Sequence, residues 1–207
     1  CFVGCYFHLR LKVNLLSNDI KLILGSGSPR RKELLSMLGY SFEVRKGNAD
    51  EIAPSHLNGN ETAVFLALQK AEELKSTLQQ NELLITSDTE VWKGSRRFGK
   101  PQDLDESKAM LRELSGASHQ VISGVCLCDL KRTKSLSVTT NVFFKTLSEE
   151  EIEHYVSEYK PLDKAGAYGI QEWIGLVGIE RIEGSYFNVV GLPVFELAEM
   201  LKNWTEK

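Results

Sequence analysis

The sequence predicts an α/β fold in which a mixed sheet is flanked by helices. Short apolar runs typical of buried strands alternate unevenly with amphipathic stretches typical of helices along the 207 residues. Two long segments separated by a polar turn, the second of them alternating, predict a β-hairpin, which a purely parallel sheet does not contain. No shift in composition marks a linker, so residues 20–207 are predicted to form one domain.

The first strand and helix are predicted near the start of that domain. A short apolar run that ends in glycine indicates a buried strand at residues 20–25. Ser28 is a preferred N-cap residue, Pro29 is favoured at the first helical position, and Gly39 is typical of a helix end. A strand is expected to resume at residues 41–44.

A second amphipathic helix is expected from Asn60 to Lys75, and a third over about residues 105–114. Helical spacing predicts that the inward face of the second helix comprises Val64, Leu68, Ala71 and Leu74. Between these helices, residues 82–86 form an apolar run. This run predicts a buried strand that leads directly to Asp88.

The predicted hairpin joins residues 119–128 to residues 135–144. The second segment alternates apolar and mostly polar residues, which is typical of a half-buried strand. Cys126 and Cys128 lie two residues apart and therefore on one face of the first strand. Cysteine at such positions usually acts as a small buried hydrophobic residue.

The last third of the sequence predicts two helices and further strands. A capping-box pattern that begins at Ser148 predicts a helix over residues 149–159. The apolar stretches at residues 176–182 and 188–193 are interpreted as strands. A final helix is expected to end near Trp204.

Composition excludes several classes of protein. A formal net charge of −3 argues against a nucleic-acid partner, and no apolar run approaches the roughly 20 residues of a membrane helix. The four cysteines form no CxxC pair and have no histidine at zinc-ligand spacing, so a reducing, cytoplasmic setting is predicted. Residues 1–19 place their cations after the apolar residues, unlike a signal peptide, and are interpreted as an extension of unclear role.

Three consecutive cations, Arg30, Arg31 and Lys32, stand at the predicted N-terminus of the first helix. A helix N-terminus is already positive, so each cation there is unfavourable by a few tenths to about 1 kcal/mol. A bound anion reverses this, because the N–H groups and hydroxyls of residues 25–28 and the two guanidinium groups would form a phosphate cradle. Alternatively, the long side chains extend into solvent.

Acidic residues and one lysine would complete such a site. Asp88 after a strand suits either the carboxyl edge of an α/β sheet or a turn cap. Lys100, between a glycine and a proline, either directs its ammonium into a cleft or marks a loop. Asp50 and Glu51 either form a solvated acidic loop or, with Asp88, offer oxygen ligands to Mg²⁺. Together these residue types indicate metal-assisted phosphoryl chemistry, and no Ser-His-Asp or Cys-His constellation competes with it.

The chain also contains a collinear series of motifs. In order they read "LILGSGSPRRKELL", "ADE", "ALQKAEEL", "SDTEV", "FGKP", "MLRELSGASHQVISGV", "DKAGAYGIQ" and "GSYFNVVGLP". They extend over about residues 20–203 and resemble the Maf family of nucleoside triphosphate pyrophosphatases. The order and coverage of the motifs, more than any one of them, make the resemblance specific.

The resemblance implies an inosine-triphosphatase-like fold with two lobes around a cleft. It also implies hydrolysis of a nucleoside triphosphate substrate to the monophosphate and pyrophosphate, assisted by Mg²⁺ or Mn²⁺, and a homodimer. Ser26, Arg30 and Arg31 match the residues of the family that bind phosphate. The residues that match its catalytic and metal-site positions are Glu51, Lys70, Asp88 and Lys100, with Glu51 and Asp88 as metal ligands. Lys70 has this role by resemblance only.

Three positions distinguish subgroups of the family. Arg30, Thr89 and Gln171 resemble the subgroup that acts on dTTP and UTP, whereas Trp, Gln and Glu are typical of the subgroup that acts on 7-methyl-GTP. Gln171 offers a donor and an acceptor, which suits the paired edge of uracil or thymine. A 7-methyl-GTP or modified-pyrimidine pyrophosphatase, and a non-catalytic nucleotide-binding regulator of cell division, are the alternatives.

Two departures from the family pattern concern the pocket. Glu172 and Trp173 follow Gln171 where the family usually has a glycine, so this bulky pair is expected to reshape the base pocket. Arg96 and Arg97 precede the "GKP" motif and either extend into solvent or contact phosphate.

Overall fold

Seven strands and seven α-helices occur in the part of the chain that the computed structural model describes, residues 19–48 and 51–205. The strands are β1 (Lys21–Leu24), β2 (Phe42–Val44), β3 (Glu82–Lys93), β4 (Arg96–Phe98), β5 (Ser118–Cys128), β6 (Thr133–Phe144) and β7 (Ile179–Glu183). The helices are α1 (Pro29–Met37), α2 (Gly59–Lys75), α3 (Leu104–Leu114), α4 (Glu149–Tyr159), α5 (Trp173–Val177), α6 (Tyr186–Val190) and α7 (Val194–Thr205), with a 3₁₀ turn at Ala165–Ala167. The predicted extension, residues 1–19, lies outside this description except for Asp19.

The helix boundaries follow the local capping chemistry. The Ser28 hydroxyl accepts a hydrogen bond from the Arg31 backbone N–H, which confirms the predicted start of α1. The predicted capping box of α4, which begins at Ser148, is also present. Asn58 forms a second capping box and starts α2 slightly earlier than predicted. Gly39, with a φ of 84°, follows α1 in the left-handed conformation that favours glycine.

The strands form a mixed sheet in the order β2-β1-β3-β5-β6-β7, with β4 paired to β3. β1 runs parallel to β2 and β3, and the other neighbouring pairs are antiparallel. The predicted hairpin is the β5–β6 pair, in register through Val121 and Thr140. The predicted mixed sheet with helices outside it is therefore confirmed.

Hydrophobic clusters divide the molecule into two lobes. In the first lobe, alternate residues of β3 point to opposite faces of the sheet: Leu83 and Ile85 pack with α1 and α7, while Leu84 packs with α2 and the buried Cys126. In the second lobe, the far end of β3 packs with α3 and α4 around Tyr155. β3 and β5 pair with each other and contribute residues to both lobes, so the two lobes share these strands.

The inward face of α2 differs from the prediction. Its fully buried hydrophobic residues are Ala63, Leu66, Ala67, Ala71 and Leu74. Val64 and Leu68, which were predicted to face inward, are only partly buried. The cause is the close approach of α2 to β5, since a Cβ added to Gly124 would lie 2.1 Å from the Ala63 carbonyl oxygen. Such contact favours small residues on the face of the helix next to the sheet.

The predicted strand at residues 188–193 is wrong, because residues 186–190 form helix α6. The Ser185 hydroxyl caps this helix, and the buried Asn188 amide donates to the carbonyl oxygens of Val121 and Val138. A short apolar run does not distinguish a buried helix from a strand. Among the described residues, none of the helices combines the length and the apolar character that a membrane span requires.

Candidate active site

A gap along one edge of β3 opens the candidate site. β1 pairs with β3 only as far as Leu24 opposite Ile85, and β4 pairs with β3 from Phe98 opposite Val91 onward. Within residues 19–48 and 51–205, no strand therefore lies beside residues 86–90 on that edge. A cavity of about 520 Å³ lies there and is lined by residues from both faces of β3. This volume is typical of small-molecule sites.

Every site residue predicted above lines this cavity: Ser26, Arg30, Arg31, Glu51, Lys70, Asp88, Thr89, Lys100 and Gln171. Asp88 does not follow the strand, as was predicted, but lies inside β3 opposite Gly124. β3 continues because β5 still pairs with it beyond the end of β1, which excludes the turn-cap alternative. Asp50, considered beside Glu51, lies outside the described residues.

The Arg31 guanidinium is held by three neutral acceptors. Its Nε donates to the Gly191 carbonyl oxygen at 2.9 Å, and its terminal nitrogens donate to Ser26 Oγ and Thr89 Oγ1, each at 3.2 Å. Burial lowers the pKa of Arg31 from its usual value, although arginine stays protonated in proteins. Among the residues the structure describes, no carboxylate contacts it. Arg31 is therefore oriented by neutral groups, and the Asp88 and Glu51 carboxylates act on its charge without contacting it. Its N–H groups thus form no ion pair among the described residues, which suits an anionic ligand.

The neighbouring cations of α1 have other surroundings. The Arg30 guanidinium donates to Asp163 Oδ2 at 2.8 Å, so its charge is paired with a carboxylate. Lys32 is exposed and does not line the cavity. The solvent alternative therefore describes Lys32 but not the two arginines.

Glu51, Lys70, Asp88 and Lys100 form a continuous network of charges. The Lys70 ammonium lies 2.5 Å from Asp88 Oδ1 and 2.7 Å from Glu51 Oε1, and the Lys100 ammonium lies 3.0 Å from Glu51 Oε2. Burial alone would raise the pKa of Glu51, but the hydrogen bonds from the two lysines lower it to about 2. Glu51 is therefore charged at neutral pH, and α2, β3 and two loops converge on this network.

Glu90 also lines the cavity but was not predicted from the sequence, and Arg97 was predicted either to extend into solvent or to contact phosphate. Glu90 is buried two residues from Asp88 on the same strand, and burial raises its pKa to about 7 although Arg97 opposes the shift; the Asp88 carboxyl adds to it. The Arg97 guanidinium pairs with both oxygens of Glu90, with one nitrogen at 2.8 Å. Arg97 therefore forms an ion pair with Glu90, an acidic residue that lines the cavity. The i, i+2 spacing of two acids on a strand was the signal for Glu90.

The donor chemistry of Glu51 and Asp88 fits a divalent cation. Mg²⁺ prefers oxygen ligands and is commonly held by one or two carboxylates together with substrate phosphates. A buried carboxyl pair such as Asp88 and Glu90 is also an arrangement that a cation stabilises. Within residues 19–48 and 51–205, no group of three or more His, Cys, Asp or Glu could hold a metal ion. Further oxygen ligands would therefore come from substrate or water.

Gln171 also lines the cavity, and it is exposed. A Cβ added to Gly169 would lie 3.0 Å from Gln171 Nε2 and 2.9 Å from Glu172 Cδ, so both side chains occupy the space over Gly169. Trp173 instead packs edge-on against the His154 ring, with centroids 4.7 Å apart. Of the bulky pair, only Glu172 lies beside Gln171.

The oriented Arg31 guanidinium and the Glu51–Lys70–Asp88 network line one cavity of this α/β fold. The family model described as Maf-like protein matches residues 21–204. The chain belongs to the Maf family.

The chain is similar to curated proteins named dTTP/UTP pyrophosphatase. It is 50% identical to the Phocaeicola vulgatus protein over 183 residues, which is 88% of this chain and 95% of that protein. It is 49% identical to the Bacteroides fragilis protein with the same coverage. It is also 49% identical to the Flavobacterium psychrophilum protein over 187 residues, 90% of this chain and 96% of the relative.

Two solved structures match less closely. A nucleoside-triphosphatase / dITP/XTP pyrophosphatase from Mycobacterium abscessus is 13% identical with a TM-score of 0.39, over 60% of this chain and 73% of that one. The Staphylococcus aureus Ham1 protein is 13% identical with a TM-score of 0.44, over 63% and 88% of the two chains. The family assignment rests on the sequence matches.

Proposed function

We propose that this protein is a nucleoside triphosphate pyrophosphatase that hydrolyses dTTP and UTP to the monophosphate and pyrophosphate. The observation that carries the proposal is the Arg31 guanidinium, which contacts only neutral acceptors among the described residues, in the same cavity as the Glu51–Lys70–Asp88 network. Relatives about 50% identical over most of the chain and named dTTP/UTP pyrophosphatase support the substrate.

In this proposal the triphosphate lies along the loop at residues 25–28. Arg31 and Lys100 contact its charged oxygens, and the backbone N–H groups at the start of α1 add further donors. Asp88 orients or deprotonates the water that attacks the α-phosphorus, with Lys70 holding Asp88 Oδ1 in place. Pyrophosphate leaves with its negative charge offset by the cations of the cavity.

A divalent cation, Mg²⁺ or Mn²⁺, bound by Glu51 and Asp88 would supply charge neutralisation on the phosphate oxygens. Lys70 contacts both carboxylates and so maintains their separation in the free protein. Glu51 remains ionised in this network, as binding of a cation requires.

Base selection is assigned to Gln171. Arg30 and Thr89 also distinguish the subgroups, but Arg30 is assigned to phosphate binding, as the resemblance implies. Thr89 Oγ1 contacts the Arg31 guanidinium and lies 2.9 Å from Ser123 Oγ, which supports a role for Thr89 in holding Arg31. The 7-methyl-GTP alternative is less favoured because all three positions resemble the dTTP/UTP subgroup.

A nucleotide panel with product analysis tests the proposal. UTP and dTTP are expected to yield monophosphate and pyrophosphate in the presence of Mg²⁺ or Mn²⁺, faster than CTP or 7-methyl-GTP. Faster hydrolysis of 7-methyl-GTP would favour the second subgroup. Nucleotide binding without any turnover would favour the non-catalytic regulator of cell division and contradict the proposed activity.

The proposal includes residues 20–207 as the catalytic domain, a homodimer and a cytoplasmic location. The free, buried Cys126 and Cys128 are compatible with a reducing compartment. Sedimentation velocity tests the dimer, and a variant that begins at residue 20 tests the domain boundary.

A further inference from the structure

A chain of ion pairs and hydrogen bonds runs from Arg30, which lines the cavity, to the turn at residues 169–172 that contains Gln171. The Arg30 guanidinium lies 2.8 Å from Asp163 Oδ2, and the Lys164 ammonium lies 2.7 Å from Asp163 Oδ1. The same ammonium lies 3.1 Å from Glu172 Oε1. The Tyr155 hydroxyl donates to Glu172 Oε2. Each carboxylate therefore uses one oxygen for each neighbour. A change in the position of one side chain affects the side chains paired with it.

Lys164 is the centre of this chain. It is only 8% exposed, and lysine is rarely buried to this extent unless it is paired. Its charge is compensated by Asp163 on one side and Glu172 on the other. Removal of either carboxylate would leave the buried Lys164 charge less well compensated. Glu172 is largely buried, whereas the Asp163 side chain is 59% exposed.

Glu172 in turn belongs to the loop that contains Gln171, the residue to which base selection is assigned. Both side chains occupy the space over Gly169, where an added Cβ would lie 3.0 Å from Gln171 Nε2 and 3.0 Å from Glu172 Oε2. The Gly169 backbone N–H donates to the Tyr155 hydroxyl at 3.0 Å, which ties the loop to α4. The Glu172 backbone N–H donates to the Gly169 carbonyl oxygen at 3.0 Å and closes the turn that contains Gln171. The position of Gln171 therefore depends on how this turn is held.

We propose that Asp163, Lys164 and Glu172 are positioning residues that couple recognition of the base to recognition of the triphosphate. The chain connects Arg30 at the start of α1 with the turn that contains Gln171. A nucleotide that engages one end thereby stabilises the arrangement at the other. This inference rests on the proposed function, because it describes how the same site holds the two ends of its substrate.

The test measures phosphate recognition in a variant of Glu172 and base recognition in a variant of Asp163. Glu172→Gln is expected to raise the inhibition constant of inorganic tripolyphosphate about fivefold, although tripolyphosphate has no base. Asp163→Asn is expected to lower the ratio of kcat/KM for UTP to that for CTP about fivefold, although Asp163 contacts the phosphate-side Arg30. In the double variant the two effects should not multiply, since both variants interrupt one chain.

Glu183→Gln and Asp105→Asn are the matched controls. They make the same chemical changes on side chains that are 50% and 96% exposed and do not line the cavity, so both readouts should stay unchanged. If Glu172→Gln alters only base selectivity, if Asp163→Asn alters only tripolyphosphate inhibition, or if the effects multiply, the coupling is overturned. A lower Tm with both readouts unchanged also overturns it, because that result indicates a purely structural role.

The coupling can be tested even if Glu172→Gln does not fold or the wild-type protein shows no turnover. If Glu172→Gln does not fold, Asp163→Asn decides alone, since its side chain is 59% exposed and tolerates the change. If the wild-type protein releases no pyrophosphate, the proposed function fails. Calorimetric Kd values for UTP, CTP and tripolyphosphate then replace the kinetic constants, so the coupling is still decided.

Discussion

At the scale of single residues, the immediate partner of each cation determines what it can do. Arg31 contacts neutral oxygens, so its charge is available to a ligand. Lys70 contacts two carboxylates and positions them. Arg30 is paired with Asp163, so its position depends on a residue far along the chain.

Replacement of Asp88 tests the catalytic assignment. Asp88→Asn removes a carboxylate from the reacting centre but keeps its shape, and Lys70 retains Glu51 as a partner. We expect kcat for UTP to fall by roughly 10²–10³ with little change in Tm. Pyrophosphate release and thermal melts measure these two effects. Asp105→Asn, on an exposed side chain, is the control, and wild-type turnover by folded Asp88→Asn protein would refute the assignment.

Replacement of Gln171 tests the reading of the base. Gln171→Glu exchanges a side chain with a donor and an acceptor for one with acceptors only, and it adds a negative charge beside Glu172. We expect kcat/KM for UTP and dTTP to fall roughly tenfold, the usual effect of one lost hydrogen bond to a substrate. The concentration of Mg²⁺ that gives half-maximal activity should not change. Unaltered kinetics with UTP would exclude a role in base recognition.

At the scale of elements, the length of β3 and the tight packing of α2 on β5 place the charged network. β3 presents Asp88 to the gap between β1 and β4, and α2 presents Lys70 to Asp88. The backbone of α2 lies so close to Gly124 of β5 that no side chain fits between them. The position of Lys70 therefore depends on Gly124, which does not line the cavity.

Gly124→Ala tests this dependence. Its Cβ would lie 2.3 Å from the Ala63 carbonyl carbon, so α2 must move away from the sheet. We expect a loss of about 1–3 kcal/mol in the free energy of unfolding, together with a lower kcat because Lys70 moves relative to Asp88. Urea denaturation and turnover measure the two effects. Gly99→Ala, where a Cβ meets nothing within 4 Å, controls for stability, and an equally stable Gly124→Ala protein would contradict the packing argument.

At the scale of the whole molecule, the cleft lies between two lobes that share β3 and β5. Hydrogen-bonded strands pass from one lobe to the other, so the sheet sets the geometry of the cleft. In the second lobe, His119 is buried beside Phe144 and Tyr168, with its Nε2 at 2.7 Å from the Tyr168 hydroxyl. Burial, with a smaller effect of Lys93, lowers the pKa of His119 to about 3.

This histidine predicts a pH dependence of stability. Between a pKa of about 6.5 in the unfolded chain and about 3 in the folded protein, the unfolded state binds the additional proton. The stability present above pH 6.5 is therefore lost as the pH falls, by up to about 1.4 kcal/mol per unit from this group. Urea midpoints between pH 7 and pH 5 should fall less in His119→Gln than in wild type. Parallel curves for the two proteins would show that His119 does not titrate as argued.

The sequence by itself determined the starts of α1 and α4, the hairpin and the mixed sheet, because capping groups and the period of apolar residues act over a few neighbouring positions. It also indicated Arg31 and Asp88, whose charges are unusual in their local context, whereas Lys70 was found only through the family resemblance. The helix at residues 186–190 was not predictable, because a short apolar run fits a buried helix as well as a strand.

Only the tertiary structure decided which charges neutralise each other. Arg97 pairs with Glu90, Arg30 with Asp163, and Arg31 with no carboxylate among the described residues. These outcomes depend on distances between segments far apart in the chain, and local periodicity carries no information about such distances. The strength of a charge interaction is set by separation and burial, and both arise only when the lobes pack against the shared sheet.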